Sequence, residues 1–181
     1  MLFQPVAVCL LVSVASAQTV YIIRHGEKPD DDDVTGLSAA GVQRSKCLRT
    51  VFGASSGYNI GYILAQTPKS SGKRNRPYLT VEPVSKDLGL TVDTSCDRDD
   101  FDCVVDTVAV YGAKASGQNI LICWEHNALT AIVSNLGTKN APYYPDDLFN
   151  IIWTDPKPYS TITATTSENC PGLDDWEYKG H

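Results

Sequence analysis

The 181 residues are 43% hydrophobic and 20% charged, with 13 Gly, 10 Pro and 6 Cys. Those proportions exclude collagen, a coiled coil and wholesale disorder, and a chain of this length can bury roughly two-thirds of its unfolded surface in one domain. Fifteen Lys+Arg against 21 Asp+Glu leave a net charge of -6, which argues against a nucleic-acid partner, although gathered cations can still hold a small anion.

Met1 to Gln18 contains an apolar run from Val6 to Val14 followed by Ala15-Ser16-Ala17, although no Lys or Arg precedes the run. Small residues after a short apolar core suit signal peptidase, and the run is too short to cross a hydrocarbon layer about 30 Å thick. A signal peptide over 1–17 and a single secreted domain over 18–181 are expected, with no membrane span. No N-x-S/T sequon occurs, so N-glycosylation is not expected. Loss of the leader removes Cys9 and leaves Cys47, Cys96, Cys103, Cys123 and Cys170, enough for two disulfides and one thiol. Connectivity stays open at this level. Cys96 and Cys103 flank a polar turn and are the first expected pair. Cys123, in an apolar run, is the expected free thiol, which leaves Cys47 with Cys170. No C-x-x-C pair occurs, so a zinc ribbon or thioredoxin-like site is not expected.

Thr19 to Ile23 (TVYII) reads as a strand buried on both faces. A polar loop over 26–36 carries the acidic run Asp30 to Asp33, a solvated segment without the glycine and distal Glu of a calcium loop. Ser38 is placed to cap a helix with Ala40, Cys47, Leu48, Val51 and Phe52 on one side, ended by Gly53 and Gly57. Ile60 to Ala65 reads as a strand and 68–75 as a basic loop. Pro77 suits the first turn of a helix towards Leu88 that Pro83 should shorten or bend. A short strand is expected at Leu90 to Val92, and a helix from Asp99 or Asp100 to about Lys114. Asn119 to Trp124 (NILICW) is the clearest buried strand. A helix from Ala128 to Leu136 follows, with Gly137 at its end. Two last strands are expected at Asn150 to Thr154 and Ser160 to Thr165. Trp124, Trp153 and Trp176 read as packing residues, as do Tyr143 and Tyr144 ahead of a place in a substrate wall. Alternating strands and helices imply a three-layer α/β/α domain, its mostly parallel central sheet covered by helices on both faces.

Ligands of such sheets sit beyond the carboxyl ends of the strands. Arg24-His25-Gly26-Glu27-Lys28 follows the first strand and Glu125-His126-Asn127 follows NILICW, while the remaining mature-chain histidine, His181, is terminal. A neutral imidazole can attack phosphorus and carry the phosphoryl group. Arg24 can grip two phosphate oxygens in a fork, Gly26 leaves room for a close anion, and His126 can stabilise transition-state charge. With Arg and His supplying the charge, no metal or other cofactor is expected. Glu27 and Lys28 read as a surface ion pair.

Arg24-His25-Gly26-Glu27 resembles the RHG motif of the histidine phosphatase superfamily, the phosphoglycerate mutase-like proteins. Leu37-Ser38-Ala39-Ala40-Gly41 with Arg44 is similar to the family's L-T-x-x-G helix start. Arg76 to Thr80 resembles the segment bearing the second arginine, and Leu121 to Asn127 the strand that ends in the second histidine. The resemblance implies a phosphoglycerate mutase-like fold and a small phosphorylated substrate; a monomer or weak oligomer is expected. His25 would be the nucleophile, and Arg24, Arg76 and His126 the rest of the phosphate pocket.

Between Ala65 and Arg76 the chain is longer than the family pattern and carries Lys69, Lys73 and Arg74. Arg74 is therefore a fallback for the second arginine, and the loop, folded over the pocket, would favour a substrate with a second phosphate or carboxylate; otherwise it is a mobile basic loop. Asn127 stands where the acid phosphatase branch has its acid, so the proton donor stays open among Asp97, Asp99, Asp100, Glu82 and Glu125. Strand alternation should turn Glu125 away from His126. A secreted phosphomonoesterase is the first expectation, a non-catalytic anion-binding protein the second, and a phosphoglycerate-type mutase the third.

Overall fold

The apolar runs of the sequence form the middle of one six-stranded sheet. The computed structural model describes residues 17–31, 33–114 and 117–174. Apart from Ala17, the expected signal peptide lies outside them, as do Asp32, Trp176 and His181. Strands β1 (Thr19–Arg24), β2 (Ile60–Ala65), β3 (Val92–Asp93), β4 (Asn119–Trp124), β5 (Ile151–Pro156) and β6 (Ala164–Ser167) alternate with helices α1 (Ala39–Val51), α2 (Arg76–Leu88), α3 (Phe101–Lys114) and α4 (His126–Leu136), the four helices falling between β1 and β5. The sheet order is β3-β2-β4-β1-β5-β6. The first four pair in parallel, whereas β5 and β6 run antiparallel.

Side chains alternate across this sheet and divide the core. Val20, Ile22, Ile120 and Ile122 pack with Val104 and Val108 of α3 and Leu129, Ile132 and Val133 of α4. Ile23, Leu121 and Cys123 face the other way, onto Leu48 of α1 and Val81 and Val84 of α2. Helices thus cover both faces, and the three-layer expectation holds.

Ser38 caps α1 by accepting from the Gly41 N–H at 3.1 Å, and Asp100 accepts from the Cys103 N–H at 3.1 Å at the start of α3. Pro83 does not shorten α2, which continues to Leu88. An interior proline costs about 3 kcal/mol; burial of Val81 and Val84, each contributing roughly 1.5–3 kcal/mol, offsets it. The expected boundaries shift at β3, β5 and β6, the last by four residues at its start. Helix α4 begins at His126 rather than Ala128, with Glu125 as its cap. The anticipated disulfides, Cys96–Cys103 and Cys47–Cys170, are both present, and Cys123 is a buried free thiol.

Candidate active site

Parallel pairing of β1 with β4 sets Arg24 beside Trp124, and the His25 N–H extends the ladder to the Trp124 carbonyl at 3.0 Å. The first residues after both strands are thereby neighbours. His25 is 5% exposed. Its Nδ1 lies 2.7 Å from the Gly26 carbonyl oxygen. A carbonyl can only accept, so Nδ1 carries the proton and Nε2 keeps its lone pair. Burial is the main cause of a pKa pushed down to about 3, and the charges of Arg24, Arg76 and His126 act in the same direction. The ring is neutral at pH 7.

The loop bearing His25 is held from two helices. The Gly26 N–H donates to Thr80 Oγ1 at 2.8 Å, and the Thr80 hydroxyl donates to the Arg76 carbonyl at 2.7 Å. A Cβ on Gly26 would meet the Gly41 carbonyl oxygen and Cα at 3.1 and 3.2 Å, and one on Gly41 would lie 2.4 Å from the Glu27 carbonyl oxygen. A side chain on Gly26 would therefore crowd α1, a packing reason for glycine that the sequence did not suggest.

A cleft of about 210 Å³ opens beside His25. Gln66 reaches it from the end of β2, Lys73, Arg74 and Arg76 from the approach to α2, Arg98 from the segment before α3, and Glu125 from the start of α4. Arg76 donates from Nε to the Gly36 carbonyl at 2.8 Å and from Nη2 to the Val34 carbonyl at 3.2 Å, tying the 34–36 segment into the wall. Both arginine candidates, Arg76 and Arg74, line the cleft.

The expected outward turn of Glu125 is overturned, because the chain leaves the sheet at that residue to begin α4 and strand alternation ends at Trp124. Its Oε1 accepts from the Asn127 N–H at 3.3 Å and from Asn127 Nδ2 at 2.8 Å. Its Oε2 is buried without a hydrogen bond, and Arg98 Nη1 stands 3.9 Å away. The other proposed donors are elsewhere. Glu82 pairs with Lys86 at 3.0 Å on α2, Asp99 holds Arg98 at 2.8 Å, Asp100 caps α3, and Asp97 is exposed; none of the four lines the cleft.

Arg24 and His126 flank His25 outside the cleft lining. Arg24 Nη1 donates to the carbonyls of Asp146 and Leu148 at 2.6 and 2.7 Å. Its guanidinium carbon lies 3.7 Å from the centre of the Phe149 ring, which is itself 6.2 Å from the His25 ring. Arg24 Nε is buried and unpartnered. His126 has Nδ1 3.0 Å from Glu125 Oε1 and Nε2 3.4 Å from Asp146 Oδ1. Asp146 also accepts a hydrogen bond from the Tyr143 hydroxyl. Sequence reasoning missed Asp146, Arg98 and Gln66, which lie at element ends or in irregular segments with no periodicity to place them.

The Glu27 carboxylate turns to α1. It accepts from Arg44, whose buried guanidinium also bonds Glu168 at 2.6 Å and Asp174 at 3.0 Å. Three carboxyl groups share one cation there, and burial pushes Glu168, the deepest, up to about 8. This cluster and the Cys47–Cys170 bridge fasten the end of the described chain to α1.

Solved structures of this architecture include a protein histidine phosphatase, SixA, complexed with tungstate. It is 17% identical with a TM-score of 0.55, over 83% of this chain and 97% of that one. A phosphoglycerate mutase from Bacillus anthracis str. Sterne is 12% identical with a TM-score of 0.55, over 84% and 92%. The chain has the histidine phosphatase fold. A mycobacterial glucosyl-3-phosphoglycerate phosphatase, in complex with inorganic phosphate, is 14% identical with a TM-score of 0.50, over 66% of this chain and 79% of that one. No protein-family model and no curated protein matches the sequence. Within the histidine phosphatase fold, the cleft lies beyond the carboxyl ends of β1, β2 and β4, where a parallel sheet offers its ligand site.

Proposed function

We propose that the chain is a secreted, metal-independent phosphatase that hydrolyses a small phosphomonoester through a phosphohistidine on His25. One observation carries the reading: a neutral imidazole with its Nδ1–H fixed on the Gly26 carbonyl stands beside a cleft lined by guanidinium groups. His25 Nε2 attacks phosphorus while the ester oxygen leaves with a proton from Glu125 Oε2, the carboxyl oxygen that makes no hydrogen bond. Water then attacks the phosphohistidine, returns a proton to Glu125 and releases phosphate and the imidazole. Arg76, Arg24 and His126 balance the charge on the transferring group, with Asp146 giving way from His126. The two disulfides support an oxidising compartment and hence secretion.

A second reading, capture of an anion without turnover, is favoured by the engagement of Arg24 Nη1 with two carbonyls and of His126 with Asp146. Turnover of p-nitrophenyl phosphate in EDTA separates them. The phosphatase reading expects activity in the wild type and loss of at least about a thousandfold in His25→Asn, which lacks the nucleophile. Equal turnover by the two proteins overturns it, and phosphate binding without turnover leaves the capture reading.

A further inference from the structure

We propose that the cleft contains a second anion-binding position, built by Lys73, Arg74 and Arg98, and that the substrate is a phosphomonoester bearing a further carboxylate or phosphate. This inference rests on the phosphatase reading and specifies its substrate.

Among the described residues, the cleft lining carries Lys73, Arg74, Arg76 and Arg98 against the single acid Glu125, in a protein whose net charge is -6. In the phosphatase reading, phosphate on His25 draws on Arg76, Arg24 and His126. Lys73 and Arg74 are left with no side-chain hydrogen bond or ion pair among the described residues. Arg98 comes from a separate segment and is held by Asp99 at 2.8 Å, with Glu125 more distant at 3.9 Å. Like charges gathered from two segments repel until an anion enters between them.

The basic segment is shaped rather than loose. The Lys69 N–H donates to the Lys73 carbonyl at 2.8 Å and the Gly72 N–H to the Lys69 carbonyl at 2.9 Å. Arg74 takes a left-handed φ of 64°, an uncommon conformation for a residue with a Cβ, and Gln66 Nε2 bonds its carbonyl at 3.4 Å. The backbone thus sets the two cationic residues on the wall beside Arg76.

The test is steady-state kinetics on three alkyl phosphates of equal chain length, ending in a hydroxyl, a carboxylate or a second phosphate. One added charge-assisted contact corresponds to about a tenfold rise in kcat/KM. That rise should appear for one or both charged esters, mainly in KM, because the group is remote from the reacting atoms. The preference should shrink severalfold in K73Q/R74Q and in Arg98→Gln, shrink with added salt, and persist in Lys46→Gln on exposed α1. Which charged ester is preferred distinguishes a carboxylate from a phosphate. Equal kcat/KM on all three esters, or a preference untouched in both variants, overturns the second position and leaves the phosphatase reading intact; turnover of none of them overturns that reading instead.

Discussion

At His25 a single hydrogen bond decides what the imidazole can do. The Gly26 carbonyl fixes the proton on Nδ1 and favours the charged ring, but burial outweighs it and, with the neighbouring cations, pushes protonation of Nε2 down to about pH 3. A nucleophile neutral over so wide a range should impose no acid limb of its own near pH 6. In kcat/KM profiles, loss of activity between pH 6 and 7 should therefore be absent or belong to another group. An acid limb near 6.5 that shifts with substitution of Gly26 would contradict that picture. Thr80 is the second decisive residue. Its hydroxyl is the acceptor for the buried Gly26 N–H. Thr80→Val keeps the shape and removes the acceptor, for a loss of about 1–3 kcal/mol in urea unfolding and a lower kcat. An unchanged midpoint would show that the N–H finds another partner.

At the scale of elements, the contact between α1 and the loop after β1 is the tightest constraint on the site. The 2.4 Å separation between a Cβ on Gly41 and the Glu27 carbonyl oxygen leaves no room for alanine. Gly41→Ala should cost about 1–3 kcal/mol and displace the His25 loop, so activity should fall beyond what the lower stability explains. Helix α1 is also tied to the chain end by Cys47–Cys170, which closes a separation of 123 residues. Replacing both cysteines by alanine should lower stability by about 2–5 kcal/mol in denaturant titrations.

The elements readable in the sequence are those whose packing writes a pattern. Strands β1 and β4 are largely buried on both faces and give apolar runs, so the sequence locates their ends, and with them His25 and the Glu125-His126 pair, at one edge. Strand β6 is largely exposed and polar, which leaves no alternation to fix its limits. The cleft walls at 72–76, Arg98 and the 143–149 segment depend on contacts between distant stretches, and no local periodicity carries that information. Glu125 misled for a related reason: alternation applies only while the chain stays in the sheet.

Across the whole molecule, acid and base act on different parts. His25 is depressed from 6.5 to about 3 in the fold. The unfolded chain binds more protons in that window, so this contribution is full above pH 6.5 and lost as pH falls towards 3. Glu168 is raised from 4.5 to about 8. There the folded chain binds more protons, and the contribution present below 4.5 is lost as pH rises towards 8. Thermal unfolding against pH should therefore fall away on both sides, and Glu168→Gln should flatten the alkaline side. An unchanged alkaline slope in that variant would place the titrating group elsewhere.

The proposed activity stands on covalent chemistry at one nitrogen. The direct measurement is rapid mixing with a phosphomonoester, quenching into alkaline denaturant that preserves phosphoramidates, and peptide mass spectrometry. One phosphoryl group is expected on the His25 peptide, formed and lost at rates that accommodate turnover and missing in His25→Asn. Turnover with phosphate on another residue, or with no covalent phosphate formed at a competent rate, would contradict it.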